Sequence, residues 1–165
     1  MENKQYKDNM NKTEQIIKRS VDFVIATCCL IFFSPLAIAC AIAIRLEDGL
    51  PVIYRQERIG LHGKPFFIYK FRSMKIDAEK DGPDLLEIKG DPRLTKVGRF
   101  LRMHHLDELP QLWNVFKGDM AFVGPRPERK FYIDQIMEHD PRYTYLYQIR
   151  PGVTSYATLY NGYTD

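Results

Sequence analysis

Between Phe23 and Ile44 the chain runs 22 residues without a charge, and no other stretch of its 165 residues is patterned that way. At about 1.5 Å rise per residue such a segment covers roughly 30 Å of hydrocarbon, which predicts a membrane helix. A cleaved signal peptide fits poorly, because about twenty mostly polar residues precede the segment. A buried core helix of this length would be long for so small a chain. Ser34-Pro35 falls in the middle. Proline removes the bond to the carbonyl of Ile31 and its ring bends the helix there. Basic residues flank both ends, with Lys12, Lys18 and Arg19 before and Arg45, Arg55, Arg58 and Lys64 after. The preference for positive flanks on the cytoplasmic side suits a helix that dips in and returns, while a straight span that translocates the following domain stays open on this reading.

Beyond this segment the periodicity shortens. Val52 to Ile59 and Pro65 to Met74 are rich in β-branched and aromatic residues and are joined by Gly60-Leu61-His62-Gly63, which predicts a β-hairpin. Alternation along the second strand puts Phe67, Tyr69 and Phe71 on one face and Phe66, Ile68, Lys70 and Arg72 on the other. A solubilised edge strand, which lysine commonly marks, is the reading the residues alone favour for the two cations over a binding role. Asp77 to Pro92 is polar and broken by Gly82-Pro83 and Asp91-Pro92, and reads as a loop with the character of a lid. Leu94 to Leu106 is a weak basic helix, Gln111 to Phe116 a short helix that Pro110 can begin, and Glu128 to Glu138 and Pro141 to Gln148 two more. Tyr143, Tyr145 and Tyr147 on the last suit either a membrane boundary or a core. The fold class expected is α+β, mainly helical, with residues 1–48 forming the N-terminal segment and membrane helix and 49–165 a catalytic domain.

Composition adds limits. With 45% apolar and 27% charged residues the chain is that of a folded protein, and a net charge of +3 argues against a dedicated nucleic-acid binder. Cys28, Cys29 and Cys40 lie in one apolar stretch without metal-ligand spacing, as packing residues in a reducing compartment do.

Candidate chemistry concentrates at Leu106-Asp107-Glu108-Leu109-Pro110. Two adjacent carboxylates ahead of a helix N-terminus sit where unpaired N–H groups keep a carboxylate ionised and attract phosphate oxygens. Simple helix capping gives the same pattern. Arg102 is the nearest cation in sequence and can neutralise a carboxylate or hold a phosphate. On a helix, His104 would share a face with Asp107 and Glu108, an arrangement open to a transition metal and a hydrolase built on His104, His105 and Glu108. Carboxylates working on phosphate oxygens suit Mg2+ better.

Several ordered blocks resemble one family. Tyr69-Lys70-Phe71-Arg72-Ser73-Met74, Leu106 to Val115, Lys117-Gly118-Asp119-Met120, Val123-Gly124-Pro125-Arg126-Pro127 and Arg150-Pro151-Gly152-Val153, together with Ser34-Pro35, are similar to the bacterial sugar transferase family of monotopic phosphoglycosyl transferases. The resemblance implies a monotopic protein of the bacterial inner membrane with a re-entrant helix and a cytoplasmic catalytic face. Its implied reaction moves a sugar phosphate from a UDP-sugar to undecaprenyl phosphate and releases UMP, at the first membrane step of capsule, exopolysaccharide, O-antigen or glycoprotein glycan synthesis. Residue by residue, Asp107 looks like the nucleophile, Glu108 like the Mg2+ ligand, and Lys70, Arg72, Arg102 and Arg126 like phosphate or substrate contacts. A homo-oligomer is left open. The alternative is a non-catalytic membrane adaptor that binds phosphorylated lipid or a partner enzyme. The chain departs from the family pattern at His104-His105 and at Tyr156, which implies an altered sugar preference, and its stop at Asp165 suggests a shortened product.

Overall fold

The computed structural model describes residues 10–76, 78 and 91–155. Helix α1, Lys12–Phe32, begins with a reciprocal cap in which Asn11 Oδ1 accepts from the Glu14 amide at 2.9 Å and Glu14 Oε2 accepts from the Asn11 amide at 2.8 Å. Helix α2, Ser34–Asp48, follows after a bend of 59°. The bend has a local cause. Pro35 cannot donate to the Ile31 carbonyl, and the Ser34 hydroxyl takes that acceptor instead at 2.7 Å. The two arms together meet the length and composition of a broken membrane span or a re-entrant loop, whereas no single described helix is long and apolar enough to cross a membrane.

Strands β1, Ile53–Ile59, and β2, Pro65–Phe71, form the expected antiparallel hairpin, with Tyr54 opposite Lys70 and Arg55 opposite Tyr69. The second strand stops at Phe71, three residues earlier than its composition suggests. Helix α3, Lys96–Met103, carries Arg102, and α4, Gln111–Lys117, follows a one-turn 3-10 segment, Leu106–Glu108. Helix α5, Lys130–His139, precedes Pro141–Gln148, which is 3-10 rather than α-helical. A short parallel pair, β3 at Ala121–Val123 and β4 at Gly152–Thr154, has no counterpart in the sequence reading. The lid expected over Asp77 to Pro92 lies almost wholly outside the described residues, as do Tyr156 and Asp165.

The core is shared between the bent helix and the rest. Ala26 of α1 packs with Ile68, Val115 and Met120, and Cys40 and Ile44 of α2 pack with Phe71 and Leu101. Ion and dipole contacts reinforce both arms. The Arg19 guanidinium donates to the last carbonyls of α4, Val115 at 2.7 Å and Phe116 at 2.6 Å, where a cation complements the helix dipole. Glu47 accepts from the first amides of α3, Lys96 and Val97, each at 2.8 Å. The outer faces of both arms stay apolar and exposed, through Val21, Val24, Ile25, Ile31, Ile38 and Ile42 among others.

Candidate active site

Asp107 and Glu108 lie on the 3-10 turn between α3 and α4, so both helices fix them. The turn is entered through His105, held at φ 53°, a left-handed conformation that L residues with a Cβ adopt at a cost. Neither carboxylate caps α4, whose N-cap is Pro110 without a side-chain bond. The capping account of the acidic pair therefore gives way to a tertiary one.

Lys70 reaches across from β2 and its Nζ lies 2.8 Å from Glu108 Oε1. Burial pushes the Glu108 carboxyl up, but the Lys70 charge and hydrogen bond, the field of Arg126 and a bond from Gln111 outweigh it and hold the group below the usual carboxylate range. Asp107, 7% exposed, moves the other way. Its burial raises it, the Glu108 charge adds to that rise, and the opposing charges of Lys70 and Arg102 do not cancel it. Adjacent carboxylates thus acquire different basicities, one firmly ionised and one more basic than an ordinary aspartate.

Arg102 is oriented by its Nε–H bond to Ser73 Oγ at 2.9 Å, and its charge also reaches the buried Asp91, which Arg93 holds at a pKa of about 2. Arg126 stands half-exposed on the loop after β3, its Nε 3.8 Å from Glu128 Oε1. That loop is pinned by backbone bonds from Gly124 to Thr154 at 3.0 Å and from Gly152 to Pro125 at 2.9 Å. A Cβ on Gly124 would fall on the Arg150 carbonyl, so the tight approach requires glycine. Behind Arg126 a shallow cavity is walled by Ile133, Tyr143, Leu146 and Tyr147, and burial first, with Glu128 and Tyr147 beside it, pushes the Tyr143 hydroxyl up to about 12.

The structure brings Lys70, Arg102, Asp107, Glu108 and Arg126 into one electrostatic neighbourhood, and it does not bring Arg72 there. The alternation that would aim Arg72 with Lys70 ends with β2 at Phe71. The Arg72 side chain, 6% exposed, instead donates to the carbonyls of Asp48 at 2.7 Å and Gly49 at 3.1 Å, with Asp48 Oδ2 at 3.0 Å. It closes the end of α2. His104 packs against Phe100 with the rings tilted by 59° and their centroids 4.4 Å apart, and no group of three His, Cys, Asp or Glu residues able to hold a metal occurs among the described residues. That donor set does not fit zinc. A hard cation such as Mg2+ takes one or two carboxylates and completes its shell with substrate phosphate and water, and Glu108, whose carboxyl is held low, would be the residue to supply one. Sequence reasoning missed Gln111, Ser73 and Asn114. All three fall inside the motif blocks, and Gln111 also stands three residues beyond Glu108 at helical spacing.

Residues 13–165 match the family model described as bacterial sugar transferase. The chain is 43% identical over 147 residues to a UDP-N-acetylgalactosamine-undecaprenyl-phosphate N-acetylgalactosaminephosphotransferase of Aeromonas hydrophila, covering 89% of this chain and 34% of that protein. Similarity to a UDP-glucose:undecaprenyl-phosphate glucose-1-phosphate transferase of Escherichia coli (strain K12) is 40% identity over 162 residues, 97% of this chain and 35% of the relative. A protein of the same description from Caulobacter vibrioides is 46% identical over 143 residues, 86% of this chain and 53% of its own. The chain spans about a third of the length of the first two relatives and about half of the third.

Proposed function

Because the chain belongs to the bacterial sugar transferase family, we propose that it transfers a sugar 1-phosphate from a UDP-sugar to undecaprenyl phosphate at the cytoplasmic face of the bacterial inner membrane. The observation that carries this reading is the pair of adjacent carboxylates on one turn, Asp107 buried and Glu108 2.8 Å from the Lys70 ammonium.

Two half-reactions balance. An Asp107 carboxylate oxygen attacks the phosphorus next to the sugar, its bond to that phosphorus forms, and the bond to the bridging oxygen breaks, releasing UMP. A phosphate oxygen of undecaprenyl phosphate then attacks the same phosphorus, and the acyl-phosphate bond breaks to restore the carboxylate. The basicity that burial gives Asp107 favours attack, and the ionised Glu108 suits a cation ligand. Mg2+, held by Glu108, would offset charge on the phosphoryl oxygens. Arg102 and Arg126 supply further positive charge on either side of the acidic pair, and phosphoryl transfer depends largely on such positioning. The bent, apolar α1 and α2 support an anchor that enters and leaves one leaflet, and such an anchor would hold the acidic pair near the level of a lipid-linked phosphate.

The test is UMP release from UDP-glucose or UDP-N-acetylgalactosamine with undecaprenyl phosphate and Mg2+. Radiolabel from the sugar phosphate should remain on the polypeptide when the lipid is withheld. Unlabelled protein that still yields product, or full activity in Asp107→Asn, would refute the covalent route.

A further inference from the structure

Asn114 stands in the middle of α4 with no solvent exposure at 0%, and its side chain does what a neighbouring strand would do for β2. Its Oδ1 accepts from the Tyr69 amide at 3.1 Å and its Nδ2 donates to the Phe67 carbonyl at 2.7 Å. The amide thus pairs with two alternate residues on the outer edge of the hairpin. Its own carbonyl meanwhile accepts from Gly118, Asp119 and Met120 and closes the end of α4, and its Nδ2 lies 3.3 Å from Asp119 Oδ2.

A backbone anchor at Tyr69 has a consequence one residue further on. Lys70 is the next residue of β2, and it projects to Glu108, six residues before Asn114 on the segment that leads into α4. Strand and helix segment are therefore joined twice, once by a neutral side-chain amide fixed to backbone and once by the ammonium–carboxylate pair. The first joint is short and buried. The second ends a flexible side chain with four methylenes, whose reach depends on where the strand is held. We propose that Asn114 is a positioning residue for the transfer reaction, setting the register of β2 against α4 so that the Lys70 ammonium meets the acidic pair. This inference rests on the reading of Asp107 and Glu108 as the reacting pair. Interior packing makes such a joint nearly all-or-none, and misplacement by about an ångström costs on the order of a hundredfold in rate.

A double-mutant cycle separates this role from plain structural support. In the full-length protein with Mg2+, undecaprenyl phosphate and UDP-glucose or UDP-N-acetylgalactosamine, Asn114→Ala should lower kcat about 10–100-fold, with KM changed less than about threefold. Lys70→Met should lower kcat by at least as much, and adding Asn114→Ala to Lys70→Met should cost no more than about a further twofold. Independent, multiplicative losses would overturn the proposal, as would a wild-type rate in Asn114→Ala. If Asn114→Ala does not fold, Asn114→Ser, which keeps a polar group in the buried position but is too short to bridge the Tyr69 amide and the Phe67 carbonyl, carries the same cycle. A second arm needs no turnover: Lys70→Cys with Glu108→Cys, treated with a short bifunctional thiol reagent, should crosslink several-fold more slowly once Asn114→Ser is added. An unchanged crosslinking rate would overturn the proposal. Absence of UMP release by the wild type would sink the functional reading instead, and the crosslinking arm would still report on Asn114.

Discussion

Asp107 carries a charge that its surroundings oppose, and removing that charge should separate stability from activity. Its carboxyl is raised by burial against the pull of Lys70 and Arg102. The stabilisation linked to a raised carboxyl is complete below the ordinary carboxylate range and is lost as pH rises through the raised value. Glu108, held low, contributes the opposite way, with stability present above that range and lost as pH falls through its lowered value. Asp107→Asn therefore removes the loss on the rising side. Urea unfolding should find the variant more stable than wild type at pH 7 by about 0.5–2 kcal/mol, with the difference shrinking towards acid. UMP release should fall by at least about a thousandfold in the same variant. In the wild type the acid limb of activity should lie above the ordinary aspartate value of about 3.9. His105, at φ 53°, is the second residue to test. His105→Val should destabilise by about 1–2 kcal/mol because a branched Cβ resists the left-handed region, while His105→Gly should be close to neutral, as urea midpoints will show.

At the level of elements, the site depends on how closely α3 approaches the strand end that precedes it. Gly98 of α3 lies against the Ser73 backbone, and a Cβ there would fall on the Ser73 carbonyl oxygen. Ser73 also holds Arg102 through its hydroxyl and accepts from the Thr95 amide through that same carbonyl, at 3.1 Å. Gly98→Ala must push α3 away from both. Thermal unfolding should show a loss of about 1–3 kcal/mol, and UMP release should fall with it because Arg102 moves. The elements that were legible in the sequence had either length or a breaker residue. The helix break at Ser34-Pro35, the hairpin around Gly60 to Gly63, and the short helix after Pro110 all announce themselves through residues whose backbone chemistry is restrictive. The strands Ala121–Val123 and Gly152–Thr154 are three residues each and about thirty apart, too short for a period and joined only by tertiary contact. Leu94 to Leu106 splits into α3 and a separate turn because His105 takes a left-handed conformation, which histidine adopts more often than most residues but too rarely to be read from the sequence. The acidic pair was legible as residues. Its split in basicity was not, because that depends on how deeply Asp107 is buried and on a lysine 38 positions from Glu108 in sequence.

On the scale of the whole molecule, the bent helix both contributes to the core and presents an apolar exposed face. One side of each arm is buried against the hairpin and α3 or α4, while Val24 and Ile38 point outward at 57% and 59% exposure. Their substitution should leave internal packing almost untouched, which makes them a clean probe of what the outer face contacts. Lysine at hydrocarbon depth costs about 2.5–3.5 kcal/mol per residue, so Val24→Lys with Ile38→Lys should weaken partition into phospholipid vesicles by at least about a hundredfold while the unfolding midpoint in detergent changes little. Flotation on a density gradient measures the first and circular dichroism the second. Topology follows from single cysteines on either side of the bent helix, Asn11→Cys before α1 and Glu57→Cys in β1, in a background where Cys28, Cys29 and Cys40 are replaced by alanine. An anchor that returns to its own leaflet exposes both to an impermeant thiol reagent from the same side of sealed inverted vesicles. A straight span exposes only one. The contacts of Arg19 with the end of α4 and of Glu47 with the start of α3 argue for the first outcome, because both arms must then bring their polar ends to the same folded unit. A span would have to place the charges at its two ends on opposite sides of about 30 Å of hydrocarbon, and those contacts could not both persist.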